Sequence, residues 1–256
     1  MGIHPTAVVD PRARIAPGCV IDPYTVIGPD VVVGEECHIG PHAVIDGWTR
    51  LGSRNRVCPF TTIGYPPQDV TYKGEETRVV VGDDNVIREN VTIHRGTARG
   101  RGVTTVGNGN LIMAYAHIAH DCLLGDSIVM ANVSLAGHVR IDDHASLGGA
   151  VVVHQFVRIG THAFIGGKTG IGKDVPPYML AAGDRAKLYG PNLVGLRRQN
   201  FPSQVIGALK KCYKILFRRE LPFEEAVRRV REEVEPLPEV ETLLDFLQNS
   251  KRGITR

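Results

Sequence analysis

The chain has 256 residues, 43% hydrophobic and 22% charged, with a formal net charge of +3 and one tryptophan. These values suit a large packed core and exclude a disordered polymer, and no apolar run approaches the length of a membrane span. Five cysteines, odd in number and without a Cys-x-x-Cys pair, argue against a disulfide framework or a structural zinc.

Met1-Gly2-Ile3-His4-Pro5 enters the first repeat without a charged-then-apolar leader, so a cytoplasmic location is expected. From Ile3 an aliphatic residue recurs at every sixth position: Val9, Ile15, Ile21, Ile27, Val33, Ile39, Ile45, Leu51, Val57 and Ile63. Apolar residues recur near 3.6 in helices and at 2 in strands. A period of six therefore marks a solenoid, with one flat side of a three-sided coil per hexapeptide. The beat resumes at Val81, Ile87 and Ile93, runs again from Val106 to Met130, and then from Leu135 to Ile171. Roughly nine or ten coils are expected, stacked through parallel strands about 4.8 Å apart. Cys19, Cys37 and Cys122 fall in the small inward slot and read as reduced apolar fillers, although an eighteen-residue step brings Cys19 within disulfide reach of Cys37.

Two stretches break the beat, and breaks in a solenoid are where function is usually inserted. Tyr65 to Val80 includes Pro66-Pro67-Gln68-Asp69, and Ala98 to Thr105 includes Arg99-Gly100-Arg101-Gly102. The rung from Met130 to Ser134 is one residue short, so the frame must slip there. After Val175-Pro176-Pro177 the beat stops, and Tyr178 to Gln199 reads as an irregular connector. Three helices are predicted beyond it, from Pro202 to Arg219, from Pro222 to Glu235 and from Pro238 to Asn249. The domain reading is a β-helix over 1–190, with loop insertions near 65–80 and 98–105, and a helical domain over 191–256. The helices carry Lys210, Lys211, Lys214, Arg218, Arg219, Arg228, Arg229 and Arg231. These form either a plain solvated face or a docking site for an acidic protein; nucleic acid fits less well, because no stacking aromatics are interleaved.

Histidine supplies the sharpest constellation. In the hexapeptide frame His120, His138 and Gln155 follow Ile118, Leu135 and Val153, which are about one coil apart, so the three are expected to project from one ridge. A neutral imidazole near physiological pH can take a proton from a hydroxyl. Asp121 is placed to orient the His120 ring, and the Gly137 N–H is open to an oxyanion because no side chain blocks approach.

The run His117-Ile118-Ala119-His120-Asp121-Cys122, then Leu135-Ala136-Gly137-His138, Gly148-Gly149, Val153-His154-Gln155-Phe156 and Asp174-Val175-Pro176-Pro177-Tyr178, resembles the UDP-N-acetylglucosamine O-acyltransferases of lipid A biosynthesis. Pro67-Gln68-Asp69, Ile93-His94-Arg95-Gly96-Thr97 and the terminal helices also match, so the resemblance spans nearly the whole chain. It implies an all-β left-handed parallel β-helix followed by a small all-α domain. It also implies a cytoplasmic homotrimer with clefts between prisms, and acyl transfer from acyl carrier protein to the 3-position of the UDP-sugar without cofactor or metal. By the same resemblance His120 is the general base, Asp121 its orienting partner and Gly137 the oxyanion donor. Asp69, His138 and Gln155 contact the sugar, with His117 and His154 nearby. Asn192 and Arg198 serve the nucleotide or the pantetheine arm, and Gly167 leaves the acyl groove open for a relatively long chain.

The pattern departs from the family at Thr71, Val194 and Gln199, and at the short rung. These leave open whether the acceptor group is a 3-hydroxyl or a 3-amino. A γ-class carbonic anhydrase would instead hold zinc between subunits on histidines such as His117 and His120, but leaves the helical domain without a role. The related N-acyltransferase carries an additional N-terminal nucleotide-binding domain, whereas the repeat here starts at Ile3. A non-enzymatic scaffold is the remaining alternative, since fold does not dictate function.

Overall fold

The structure, a computed structural model, describes residues 2–256. Most hexapeptides contribute a two-residue strand and a turn, as in Val20–Ile21, Val26–Ile27 and Val32–Val33. Successive strands enter successive faces, and each pairs in parallel with the strand one coil on; Val26 faces Val44 and Ile27 faces Ile45. The result is a left-handed parallel β-helix whose faces hold 11, 9 and 8 strands. The second residue of each strand points inward, and Ile39, Ile45, Ile63, Ile87 and Ile93 are all fully buried. One continuous column of aliphatic side chains is the core, and its burial is the main force holding the coils together.

Corners turn through residues in the left-handed region, such as Tyr24 at φ 60, His42 at φ 57 and Phe60 at φ 60. That conformation costs roughly 1–2 kcal/mol per residue, and ladder hydrogen bonds on either side, such as Val44 N–H to Thr61 O at 2.8 Å, hold it in place. One inner corner stacks amides: Asn85 donates to Asn55 Oδ1 at 3.0 Å and its own Oδ1 accepts from Asn110 at 2.9 Å. Cys19 and Cys37 lie in the same corner as free thiols, each donating to a glycine carbonyl, Gly34 O and Gly52 O, at 3.0 Å. Burial pushes the Cys37 thiol up to about 11, so the apolar-filler reading holds.

The three faces differ outside. Val20, Val129 and Phe164 are exposed on the first and Val8, Val26 and Val152 on the second. The third carries Arg14, Arg50, Arg78, Arg140 and Arg158. The short rung is absorbed at a corner, with Asn132 at φ 48; Ile118 still faces Leu135, and Leu135 still faces Val153.

The connector is more ordered than its sequence indicates. Met179–Ala182 extends the first face and pairs antiparallel with Lys187–Pro191. Helix α1 (Leu193–Arg198) follows, six residues long and capped by Asn192 Oδ1 accepting from Gly195 N–H. So short a turn, with a glycine inside it, leaves no apolar period to read. The predicted helices form as α2 (Ser203–Arg218), α3 (Phe223–Glu233) and α4 (Pro238–Gln248). The C-terminal tail returns to the prism, with Thr255 N–H on Asp174 O at 2.9 Å and Ser250 Oγ on Asp174 Oδ2 at 2.7 Å. Among the described residues no helix is long and apolar enough to cross a membrane.

Candidate active site

The corner between the second and third faces gathers His120, Asp121, Gly137, His138 and Gln155, arranged with Phe156 as two columns. His120, Gly137 and Gln155 share one position of the repeat. Asp121, His138 and Phe156 share the next, all left-handed at φ 60, 63 and 64. His138 therefore belongs to the second column rather than to a single ridge with His120. It stacks on Phe156 at 4.4 Å and meets the His120 ring edge-on at 5.1 Å. Phe156 stood in the motif without an assigned role.

Asp121 is 1% exposed and Asp121 Oδ2 lies 3.0 Å from Nδ1 of His120. An ionised carboxylate only accepts, so Nδ1 carries the ring hydrogen and Nε2 keeps a free lone pair. Asp121 is itself held by Thr97, whose hydroxyl donates to Oδ2 at 2.7 Å and whose backbone N–H donates to the same oxygen at 3.0 Å. Burial works against the charged carboxylate, but the bonds from Thr97 and His120 outweigh it and keep its pKa below the usual range. Thr97 lies 24 residues before Asp121 across an inserted loop, so the repeat frame does not predict the pairing. His120, Asp121 and His138 each offer a ligand atom within 4.8 Å of the others. The Asp121 oxygen already serves three donors, which favours an orienting hydrogen-bond relay over metal ligation.

Above this corner a groove of about 1050 Å³ runs along the second face, lined by Gln68, His117, His120, Gly137, Val152 and His154. A Cβ on Gly137 would stand 2.6 Å from Nε2 of His120; only glycine fits beneath that ring. The Gly137 N–H has no hydrogen-bond acceptor among the described residues. Arg252 donates to Nδ1 of His154 at 2.8 Å, leaving its Nε2–H as a donor. Nδ1 of His117 is within 2.7 Å of the Thr92 hydroxyl, and burial, then the charge of His120, lowers its pKa. Behind it His94 is buried with Nδ1 unpaired among the described residues, and burial, with His117 adding to it, takes its pKa down to about 4.

Asp69 is on the first inserted loop. Its Oδ1 accepts from Thr71 N–H at 2.7 Å and from the Thr71 hydroxyl at 2.8 Å, which lowers its pKa, and His120 is close enough to add to the effect. Thr71, a departure from the family pattern, thus orients Asp69. Asn192 and Arg198 lie apart, in a second cavity of about 610 Å³ on the first face with His144, Phe164 and Val194. The Asn192 side chain caps α1 and donates to His162 O at 3.1 Å. Gly167 borders neither cavity within the chain; its missing Cβ would lie 3.1 Å from Gly149 O.

Two family models match: bacterial transferase hexapeptide (six repeats) over residues 12–47, and UDP-N-acetylglucosamine O-acyltransferase, domain 2, over residues 174–255. An acyl-[acyl-carrier-protein]--UDP-N-acetylglucosamine O-acyltransferase of Syntrophobacter fumaroxidans is 61% identical, with both chains covered in full. One from Thermodesulfovibrio yellowstonii is 51% identical over 99% of each chain. The UDP-N-acetylglucosamine acyltransferase structure of Francisella novicida superposes with a TM-score of 0.96 at 43% identity, covering 99% of this chain and 94% of its own. That of Arabidopsis gives 0.85 at 36% identity, covering 99% and 100%. The chain belongs to the UDP-N-acetylglucosamine O-acyltransferase family.

Proposed function

We propose that this protein transfers a (R)-3-hydroxyacyl chain from acyl carrier protein to the 3-hydroxyl of UDP-N-acetylglucosamine, as the first step of lipid A biosynthesis, with His120 as general base. The names of its relatives support the substrates. The observation that carries the mechanism is the His120 ring itself, its Nδ1 tied to a buried carboxylate and its Nε2 bare over Gly137 at the floor of an apolar groove.

In this reading Nε2 takes the proton of the sugar hydroxyl as its oxygen attacks the thioester carbonyl. The charge that develops on the carbonyl oxygen is met by the Gly137 N–H. Collapse of the tetrahedral intermediate breaks the carbon–sulfur bond, and the imidazolium returns its proton to the leaving thiolate. Asp121 stabilises the imidazolium and fixes its tautomer, and no acyl-enzyme forms. Asp69, His138 and Gln155 hold the sugar, with His117 and His154 beside it.

Asn192 and Arg198 reach the same substrate only if another protomer supplies them, because their cavity opens on the first face and His120 serves the second. Exposed valines and Phe164 on those two faces, against arginines on the third, favour a homotrimer that buries first face on second. Gly167 then borders the shared groove, where a glycine admits a relatively long acyl chain. Purified protein given UDP-N-acetylglucosamine, its 3-amino analogue and a panel of hydroxyacyl carrier proteins, with products weighed by mass spectrometry, tests the reading. Acylation lost in His120→Ala, with oligomeric state and Tm unchanged, is the expected result; full activity in that variant overturns the base assignment.

A further inference from the structure

The lone tryptophan and the arginine of the His94-Arg95-Gly96-Thr97 run take no part in the chemistry above, yet they meet. Arg95 is 9% exposed, and among the described residues no carboxylate pairs with it. Its charge is met by oxygen lone pairs and ring faces instead. Nη1 donates to Gly64 O at 3.1 Å, while Nε and Nη2 donate to the Tyr72 hydroxyl oxygen at 3.0 and 2.8 Å. The guanidinium carbon lies 5.4 Å from the Trp48 ring centroid and 5.5 Å from that of Tyr72, so both aromatics share the cation. Gly47, at φ +61, makes the space: a Cβ there would be 2.3 Å from Nη1.

Tyr72 sits in the middle of the inserted loop between Thr62–Tyr65 and Arg78–Val81. The loop has no ladder partners of its own, and inside it Tyr72 N–H reaches Asp69 O at 3.1 Å and the Tyr72 hydroxyl donates to Glu75 O at 2.8 Å. Arg95 holds it at two points, by its backbone N–H on Tyr65 O at 3.1 Å and by its side chain on Tyr72. Between those points lie Gln68, which lines the groove, and Asp69. A buried cation left without these partners would bear a large desolvation cost, so the loop is tied down at that position.

We infer that Arg95 is a positioning residue: gripped between Trp48 and Tyr72, it clamps the inserted loop so that Gln68 and Asp69 meet the nucleotide sugar at the mouth of the groove. The inference rests on the acyl-transfer reading for its substrate, and on the contacts alone for the clamp.

Two variants test it. Tyr72→Phe removes the hydroxyl that Arg95 grips together with its bond to Glu75 O, whereas Arg95→Lys leaves that bond and the charge in place but loses the paired donation. Three readouts are taken: amide hydrogen exchange over residues 66–77, emission and acrylamide quenching of Trp48, and steady-state kinetics. Expected are faster exchange confined to that loop, increased quenching of Trp48, and a KM for UDP-N-acetylglucosamine raised about tenfold, equal to about 1.4 kcal/mol, with kcat near wild type. Unchanged exchange in both variants overturns the clamp. Faster exchange with an unchanged KM overturns its role in positioning, as does a loss of kcat and Tm without a change in KM. If the wild type does not acylate this sugar, the acyl-transfer reading fails instead, and exchange and quenching alone decide the clamp.

Discussion

The missing side chain of Gly137 lies directly beneath the imidazole of His120: a Cβ there would sit 2.4 Å from Cε1 and 2.6 Å from Nε2. Gly137 is thus required twice, once for the space under the ring and once for an unobstructed N–H. In Gly137→Ala the ring must rotate off Nδ1···Asp121 or lift into the groove. We expect kcat to fall about 10²–10³-fold, the loss seen when an oxyanion donor is removed, while nucleotide-sugar binding measured by calorimetry changes little. A variant within threefold of wild type would remove Gly137 from the mechanism.

Thr97 should act on the chemistry through Asp121: its hydroxyl donates to the carboxylate at 2.7 Å and accepts from the Gly100 N–H at 3.1 Å, and it does not line the groove. Thr97→Val keeps the shape but deletes that donor and, with it, the acceptor of the Gly100 N–H. Losing a bond that favours the charged form lets the Asp121 pKa rise, so the acid limb of the pH–rate profile moves to higher pH and kcat falls about tenfold. Asp121→Asn goes further: an amide that donates to Nδ1 turns the ring to the other tautomer and places the hydrogen on Nε2. Identical pH profiles for Thr97→Val and wild type would show that Thr97 only fills space.

Most of the prism and half of the site can be read along the chain, because a period of six fixes both which side chain is inside and which corners stand one above another. Counted from Ile118, Leu135 and Val153, that arithmetic stacks His120 with Gly137 and Gln155, and Asp121 with His138 and Phe156; setting His138 on one ridge with His120 and Gln155 misses by a single residue. What escapes is whatever crosses an insertion. Thr97 reaches Asp121, and Arg95 reaches Trp48 and Tyr72, over loops that reset the count. Arg252 reaches His154 from 98 residues away, through a tail whose return has no periodic mark. The Lys187–Pro191 hairpin strand and α1 are set by antiparallel pairing and by an Asn192 cap, both tertiary events at this length. Asn192 and Arg198 lie beyond the repeat and stand in a cavity separate from that of His120, which the count of six does not reach.

Acid should destabilise the fold through histidines that are buried neutral. Burial takes His94 from 6.5 to about 4, and burial together with His144 takes His162 to about 4. The unfolded chain binds these protons first, so stability is complete above pH 6.5 and declines as the pH falls toward 4. Each site contributes a slope of at most about 1.4 kcal/mol per pH unit in that window. His162 packs between His144 at 4.6 Å and Tyr178 at 5.9 Å, so His162→Phe preserves the stack and removes the proton. Denaturant midpoints of this variant should drop less between pH 6.5 and 4.5 than those of wild type; parallel curves would locate the acid sensitivity elsewhere.

The amide stack should bear weight out of proportion to its size. Asn85 is fully buried, donates to Asn55 Oδ1, Asp83 O and Gly107 O at 2.9–3.1 Å, and accepts from Asn110. Asn85→Ala strands these buried partners on neighbouring coils, at about 3 kcal/mol. Cys37→Ala in the same corner removes a single weak donor and should cost far less. Equal Tm losses for the two would mean that the corner is held by backbone ladders alone.

Docking of the carrier, if it uses the terminal helices, must rely on cations that are not already spent. Arg219 pairs with Glu233 at 2.7 Å, and Arg228 and Arg229 pair with Glu225 at 2.7 and 2.9 Å. Arg218 donates to Leu188 O at 3.4 Å and to the Tyr213 hydroxyl, tying α2 to Lys187–Pro191. Reversing Arg218 would therefore loosen the helix and confuse any binding result. Lys210 and Lys214 are exposed on α2, with no carboxylate partner among the described residues. In a Lys210→Glu, Lys214→Glu double variant, KM for the acylated carrier should rise about tenfold at low salt and its salt dependence should flatten, because rim charges act mainly through long-range attraction. KM for the nucleotide sugar should stay unchanged. A carrier KM and salt slope equal to wild type would move the docking surface off α2, leaving the third-face arginines as the next basic surface to test.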